Sequence, residues 1–439
     1  MARHPDRGSV AGGRASTTVS QVVAPAGPDV APPTPAGPGV APPAPRRRRG
    51  RRKRKRSLGQ RLLRWAVVLV AVILVVVGSA YGYVRYRLGQ IASKHCSTCV
   101  VAPPDAPYNV LLVGSDTRAG NTGQAARSFG SSSLVTGQRS DTIKIVHVDP
   151  GAGTARLLSI PRDTYVTLSG LSAASGLGKD NKINSAFNEG TDPLIQTIES
   201  TFGIPINHFV ILDFNGVIDM VNSVGGIKLN FPYPVRDNDN GNNNSGLQVT
   251  HAGCQTLNGN MALALARSRF FQYEVRPGVW YYDGSSDLGR IQRQNTVIQS
   301  VINTARSSFN PLTINAFLGS LVHDVTKDDA MSATMILSLA QRYHAFSGSQ
   351  LQTFTLPTLG AYAGAAGAVE VVQQPQAQQV ITQFLGTAPD AVATPPLNAY
   401  GSPVTVPATT TTTPPTRSSV PSTPTTTVPG SGPFNPTPC

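Results

Sequence analysis

The sequence predicts a mixed α/β domain behind a single membrane helix, and three observations carry that reading. Strand-like and helical patterns alternate between residues 105 and 388, which argues for a sheet covered by helices. Two apolar runs, TIKIVHV and ARLLSI, are joined by the turn residues DPGAGT; this antiparallel hairpin makes the central sheet mixed. Ahead of them lies WAVVLVAVILVVVGSAYGYV, twenty residues (65–84) without a charge. As a helix rising ~1.5 Å per residue it is about as long as a bilayer's hydrocarbon layer is thick.

Taken in order, residues 1–45 are rich in Ala, Pro, Gly and Val and have neither the periodicity nor the aromatic content to bury a core, so they read as disordered. Twelve basic residues and no acidic one follow within 46–64, against a net charge of +14 for the whole chain. The remaining surface is therefore nearly neutral, which excludes a protein that coats nucleic acid. A cleaved signal peptide has a far shorter leader than these 64 residues. The positive-inside bias places 1–64, disordered and polybasic, in the cytoplasm and everything after about residue 85 outside. The basic run suits anionic membrane lipid, and Trp65, Tyr81 and Tyr83 suit the two interfaces. Residues 85–104 read as a stalk. Outside the membrane the four cysteines can pair, and of three possible pairings Cys96–Cys99 with Cys254–Cys439 is preferred.

Within 105–388, YNVLLV, TIKIVHV, ARLLSI and HFVILDF are strand-like, DPLIQTIESTFG is an amphipathic helix, and NGVIDMVNSVGG is a short helix ended by glycine. Residues 311–388 read as helices and a strand that continue the same fold. Residues 389–439, Thr/Pro-rich and almost uncharged, read as a disordered tail.

Common catalytic signatures are missing. Gly178-Lys179 suggests a phosphate loop, but Ala173 and Asp180 stand where that loop needs Gly and Ser or Thr. Asp237-Asn238-Asp239-Asn240-Gly241 suggests a calcium loop, but Gly241 occupies a ligand position and Gln248 stands where a bidentate Glu belongs. The histidines beyond the anchor (His95, His147, His208, His251, His323, His344) are isolated and read as packing or surface residues.

Polar groups that directly follow apolar strands are more informative, because ligands in open α/β sheets bind beyond the carboxyl ends of strands. YNVLLV runs into Gly114-Ser115-Asp116-Thr117-Arg118, and ARLLSI into Pro161-Arg162-Asp163. Arg139-Ser140-Asp141-Thr142 precedes TIKIVHV, which an antiparallel neighbour brings to the same edge. Asp116 and Asp141 can hold one hard divalent cation; alternatively they are turn residues or ion-pair partners of Arg118 and Arg139. Arg267 and Arg269 follow a helical run, and they can serve one ligand only if the helix stops near Arg267. Arg290 and Gln294 lie four apart on the inward stripe of the next helix, with Val297 and Val301. They are ligand candidates, or else they snorkel or pair with Asp287. Arginines converging on carboxylates and a metal suit a phosphate or pyrophosphate.

Seven blocks in order over residues 109–294, NVLLVGSDTR, RSDT, SIPRDTYV, KINSAF, VNSVGGI, LNGNMALALARSR and DLGRIQRQ, resemble the signature blocks of the LytR-CpsA-Psr family of membrane-anchored glycopolymer ligases. The resemblance implies an αβα fold and transfer of a phospho-linked glycopolymer from a polyprenyl pyrophosphate carrier to peptidoglycan, assisted by Mg²⁺ or Mn²⁺. On the same resemblance Asp116 and Asp141 match metal-associated aspartates. Arg118, Arg162, Arg267, Arg269, Arg290 and Gln294 match a pyrophosphate clamp, and Arg162 joins the two aspartates in the catalytic set. The polar tail and the YYDGSSDLGRIQRQ region look actinobacterial, which points to arabinogalactan or a related polymer. A long Gly/Ser-rich stretch between Asp116 and Arg139 and an insertion, FFQYEVRPGVWYYDGSS, depart from the family pattern. A pyrophosphate hydrolase and a regulator that binds lipid-linked glycan without turnover are the alternatives.

Overall fold

A computed structural model describes residues 58–103, 105–115, 140–173, 175–307, 311–387 and 434–439. Asp116, Arg118 and Arg139 lie outside the described residues. The uncharged run falls within α1 (Leu58–Gly89), a 32-residue helix long and apolar enough to cross a membrane. Beyond it come β1 (Ala92–Lys94), β2 (Tyr108–Ser115), β3 (Ser140–Asp149), β4 (Thr154–Ile160), β5 (Tyr165–Thr167) and β6 (Asp180–Lys182). A 3₁₀ turn leads to α2 (Thr191–Phe202), which ends on Gly203 in the left-handed conformation, then to β7 (His208–Leu212) and α3 (Phe214–Ser223). The Asp213 carboxylate caps α3 by accepting the Gly216 N–H.

The middle of the chain holds β8 (Ile227–Phe231), β9 (Val235–Asp237), β10 (Gln248–Val249), β11 (Gly253–Leu257), α4 (Gly259–Arg267), β12 (Phe271–Arg276) and β13 (Val279–Tyr282). It continues through α5 (Ser286–Ser307), α6 (Pro311–Asp324), β14 (Val325–Asp328) and α7 (Ala333–Arg342). The last elements are β15 (Gln352–Thr355), β16 (Thr358–Tyr362), β17 (Ala368–Val372), α8 (Gln376–Leu385) and β18 (Thr437–Pro438).

Seven strands form the central sheet in the order β1-β14-β7-β2-β3-β4-β15. It is mixed: β2 is antiparallel to β3 and parallel to β7, and β15 is parallel to β4. Strand alternation divides its side chains between the two faces of the sheet. Leu111, Val113, Ile143, Ile145, Leu158 and Ile160 face Leu194, Ile198 and Phe202 of α2 and Ile381 and Phe384 of α8. Tyr108, Val110 and Val148 face the other way and meet Met331, Met335 and Ile336. Helices thus cover both faces, giving the expected αβα layers. A second core joins β8, β9, β11, α4, β12 and α5 through Leu229, Val235, Leu257, Leu265, Phe271 and Val297.

Four local features differ from expectation. Residues 85–104 do not form a free stalk: Leu88 and Ile91 are buried with Leu318 and Val325, and β1 pairs with β14. Asp141 lies in β3 itself rather than in the loop before it. Residues 311–387 contain four strands, two of which belong to the central sheet, because short edge runs carry too little apolar periodicity to be read as strands. The last six residues are ordered onto the domain: β18 pairs with β8, Phe434 stacks on Tyr273, and Cys439 bridges to Cys254. The Cys96–Cys99 bridge is also formed.

Candidate active site

The hairpin register brings the carboxyl ends of β2 and β4 and the start of β3 to one sheet edge, where Ser115 pairs with Ser140 and Ile143 with Ile160. Gly114 permits this approach, since a Cβ there would lie 2.9 Å from the Thr142 Cβ. At the edge the Arg162 guanidinium donates to the Asp141 carboxylate. Arg162 Nε also lies 3.5 Å from Asp163, whose other oxygen is 3.2 Å from Lys182 Nζ. Burial alone would lower the pKa of Arg162, but Asp141, Asp163 and Asp287 together outweigh it and hold the guanidinium above its ordinary value.

The opposite wall comes from α4 and α5. Asn258 caps α4 by accepting the Met261 N–H, and the helix stops at Arg267, with Ser268 at φ −59°, ψ 122°. Arg269 then reaches to 3.8 Å from Asp287, which also pairs with Arg290 at 2.8 Å. Arg290 is buried; desolvation lowers its pKa while Asp287 opposes the shift. Its buried Nε has no hydrogen-bond partner among the described residues, an orphaned donor of the kind a ligand would satisfy. Gln294 donates to the Ala266 carbonyl at 3.2 Å, locking α5 to α4.

Asp141, Arg162, Arg290 and Gln294 therefore line one small cavity, together with Lys144 and Ser159. Arg269 lines an adjoining cleft of about 520 Å³ with Asp163, Asp287 and Glu370. Arg267 lines neither; its guanidinium sits 4.6 Å over the Phe214 ring. Arg290 does pair with Asp287, the alternative open in the sequence, yet that pair sits at the rim of the site.

Three residues here escaped the sequence reading. Lys144, buried, donates to Ser159 Oγ at 2.8 Å and Asn295 Oδ1 at 2.7 Å, and burial with Arg290 nearby pushes its ammonium down to about 7. A lone lysine within TIKIVHV was the available signal. Glu370, in β17, has its carboxyl pushed up chiefly by burial, with Asp287 and Asp163 adding to the shift. Arg293, fully buried, bonds Asp283 at 2.6 Å and the Ser268 carbonyl at 2.9 Å, so it holds the strand after α4 in place.

As to a metal, Asp141 offers one hard oxygen donor, and no cluster of three metal-ligating side chains occurs among the described residues. A single carboxylate beside these arginines would suit an ion such as Mg²⁺, which keeps waters and takes few ligands from protein. Asp116 is the second candidate ligand.

The site thus gathers arginines and aspartates beyond the strand ends of an αβα layer. The chain belongs to the LytR-CpsA-Psr family, whose model matches residues 84–384. It is 28% identical over 317 residues to the polyisoprenyl-teichoic acid–peptidoglycan teichoic acid transferase TagV of Bacillus subtilis, a match covering 70% of this chain and 73% of that one. It is 34% identical over 203 residues to the probable cell wall biosynthesis protein LcpB of Corynebacterium glutamicum, and that match spans less than half of either chain, 46% and 43%. The solved LytR-Csp2A-Psr enzyme from Actinomyces oris shares the fold, with a TM-score of 0.51 at 21% identity over 68% of this chain and 97% of the other.

Proposed function

We propose that this protein is a membrane-anchored phosphotransferase that moves a glycopolymer, arabinogalactan or a related polymer, from a polyprenyl pyrophosphate carrier to peptidoglycan. The observation that carries the reading is the cavity where Arg162, Arg290, Gln294 and Asp141 converge. Relatives named as polyisoprenyl-teichoic acid–peptidoglycan teichoic acid transferases support it. Two disulfides suit an extracytoplasmic domain, and the basic run before α1 suits a cytoplasmic N-terminus.

In this reading Arg162, Arg269 and Arg290, with Arg118 and Gln294, bind the two phosphates, exchanging part of their carboxylate pairing for phosphoryl oxygens, while Arg267, held over Phe214, stays outside that set. An acceptor hydroxyl attacks the phosphorus nearer the sugar, the bond to the bridging oxygen breaks, and polyprenyl phosphate leaves. Asp141 or Asp116 accepts the hydroxyl proton. A divalent cation held by Asp116 and Asp141 would offset phosphate charge. Catalysis is then chiefly positioning and electrostatic stabilisation.

Purified full-length protein given lipid-linked donor is expected to release polyprenyl phosphate only when wall acceptor is present, and Asp141→Asn or chelation is expected to abolish that release. Release without acceptor would make it a hydrolase. Donor binding with no release would make it a regulator.

A further inference from the structure

The insertion between Arg269 and Asp287 folds as the β12–β13 hairpin, with Gln272 opposite Tyr282, Tyr273 opposite Tyr281 and Glu274 opposite Trp280. Alternation puts Trp280 and Tyr282 on one face and Tyr273 and Tyr281 on the other. The second face is occupied: Tyr273 stacks on Phe434 at 4.5 Å and on Tyr281 at 6.0 Å. On the first, Arg236 covers Trp280 at 4.0 Å. Tyr282 is 48% exposed and stacks on Phe270 at 6.3 Å, and its hydroxyl donates to the Arg269 carbonyl at 3.4 Å. Phe270 in turn lines the cleft of about 520 Å³ beside the arginine cluster, a volume typical of small-ligand sites.

The carboxylates of this cleft are not equivalent. Asp163 is taken by Arg162 and Lys182, and Asp287 by Arg269 and Arg290. Glu370 forms no ion pair among the described residues. A phosphate lying wholly within this cleft would meet three carboxylates against the one guanidinium of Arg269 and be disfavoured. A sugar ring would not, because its C–H face packs on an aromatic ring and its hydroxyls donate to a carboxylate.

We propose that Phe270, Tyr282 and Glu370 form a carbohydrate subsite that seats one sugar ring of a glycan substrate next to the phosphate-binding arginines. The nature of that glycan rests on the transferase reading above, where either the acceptor or the donor polymer supplies the ring.

The test uses full-length protein in detergent micelles. The probes are muramidase-released peptidoglycan fragments, followed by the fluorescence of Trp280, one of two tryptophans, and lipid-linked donor, followed by turnover. Tyr282→Ala is expected to weaken fragment binding, or to raise the donor KM, about tenfold, the worth of one aromatic contact, and the affected substrate identifies the source of the ring. Glu370→Gln is expected to act in the same direction, and Tyr281→Ala, on the opposite face, to change neither value. All three should melt as the wild type does. Unchanged binding and KM in folded Tyr282→Ala and Glu370→Gln would overturn the subsite while wild-type transfer left the transferase reading standing. Equal losses in Tyr281→Ala would overturn it too. Fragment binding that depends on Tyr282 in a protein without transfer activity would support the subsite and reject the transferase.

Discussion

Arg293 and Arg290 stand three residues apart on α5, one closed in by Asp283, Ser268 and the Phe271 ring, the other meeting Asp287 at the edge of a cavity with its Nε unpartnered. Replacing them should therefore separate stability from binding. Arg290→Ala is expected to weaken donor binding by ~2–4 kcal/mol, the loss of a charge-assisted bidentate contact, while Arg290→Lys restores only part because an ammonium lacks the planar fork. Equilibrium donor binding beside thermal unfolding checks this. Lys144 gives a second expectation at this scale. Its folded pKa of about 7 lies below the ~10.4 of an unfolded chain, so between those values the unfolded state binds more protons. The contribution of Lys144 to stability therefore improves as pH rises from about 7 to 10 and is lost as pH falls back through 7. Lys144→Met should remove that slope, as denaturant unfolding across this pH range would read.

Among the elements, α4 decides the geometry of the site. Its capping Asn258 and its stop at Ser268 turn Arg267 and Arg269 out of one helical register, and Gly259 lets it cross α3 closely. A Cβ at 259 would lie 2.2 Å from the Ile218 carbonyl oxygen. Gly259→Val is expected to cost about 1–3 kcal/mol through overpacking, and to weaken donor binding as well because Gln294 is tied to Ala266. Thermal unfolding and donor binding measured together would check both. The sequence made the helix stop a condition for Arg267 and Arg269 to serve one ligand; the stop is present, although Arg267 lines neither cavity. The close crossing was not readable, since a glycine in the first turn of a helix says nothing about its neighbour.

For the whole molecule, the Cys254–Cys439 bridge joins residues 185 apart and holds β18 against β8. Replacing both cysteines by serine is expected to lower stability by about 2–4 kcal/mol, read as a lower melting temperature of the full chain under oxidising conditions. The chain's end thus closes over the second core at Phe434, a placement that a Thr/Pro-rich tail conceals.

By itself the sequence determined a mixed sheet covered by helices, the apolar helix and the convergence of Asp141 with Arg162, because strand alternation, helix periodicity and hairpin turns are local signals, while the αβα layering came from the family resemblance. Arg290 and Gln294 were legible for the same reason, as long polar side chains on an apolar stripe. Tertiary structure alone decided that Arg267 lies over Phe214 instead of lining the cavity, that Lys144 is buried near Arg290, and that Glu370 and Arg269 line the same cleft. Those relations join segments about 50 to 150 residues apart, and their energies depend on burial and on the neighbouring charges, neither of which has a period along the chain.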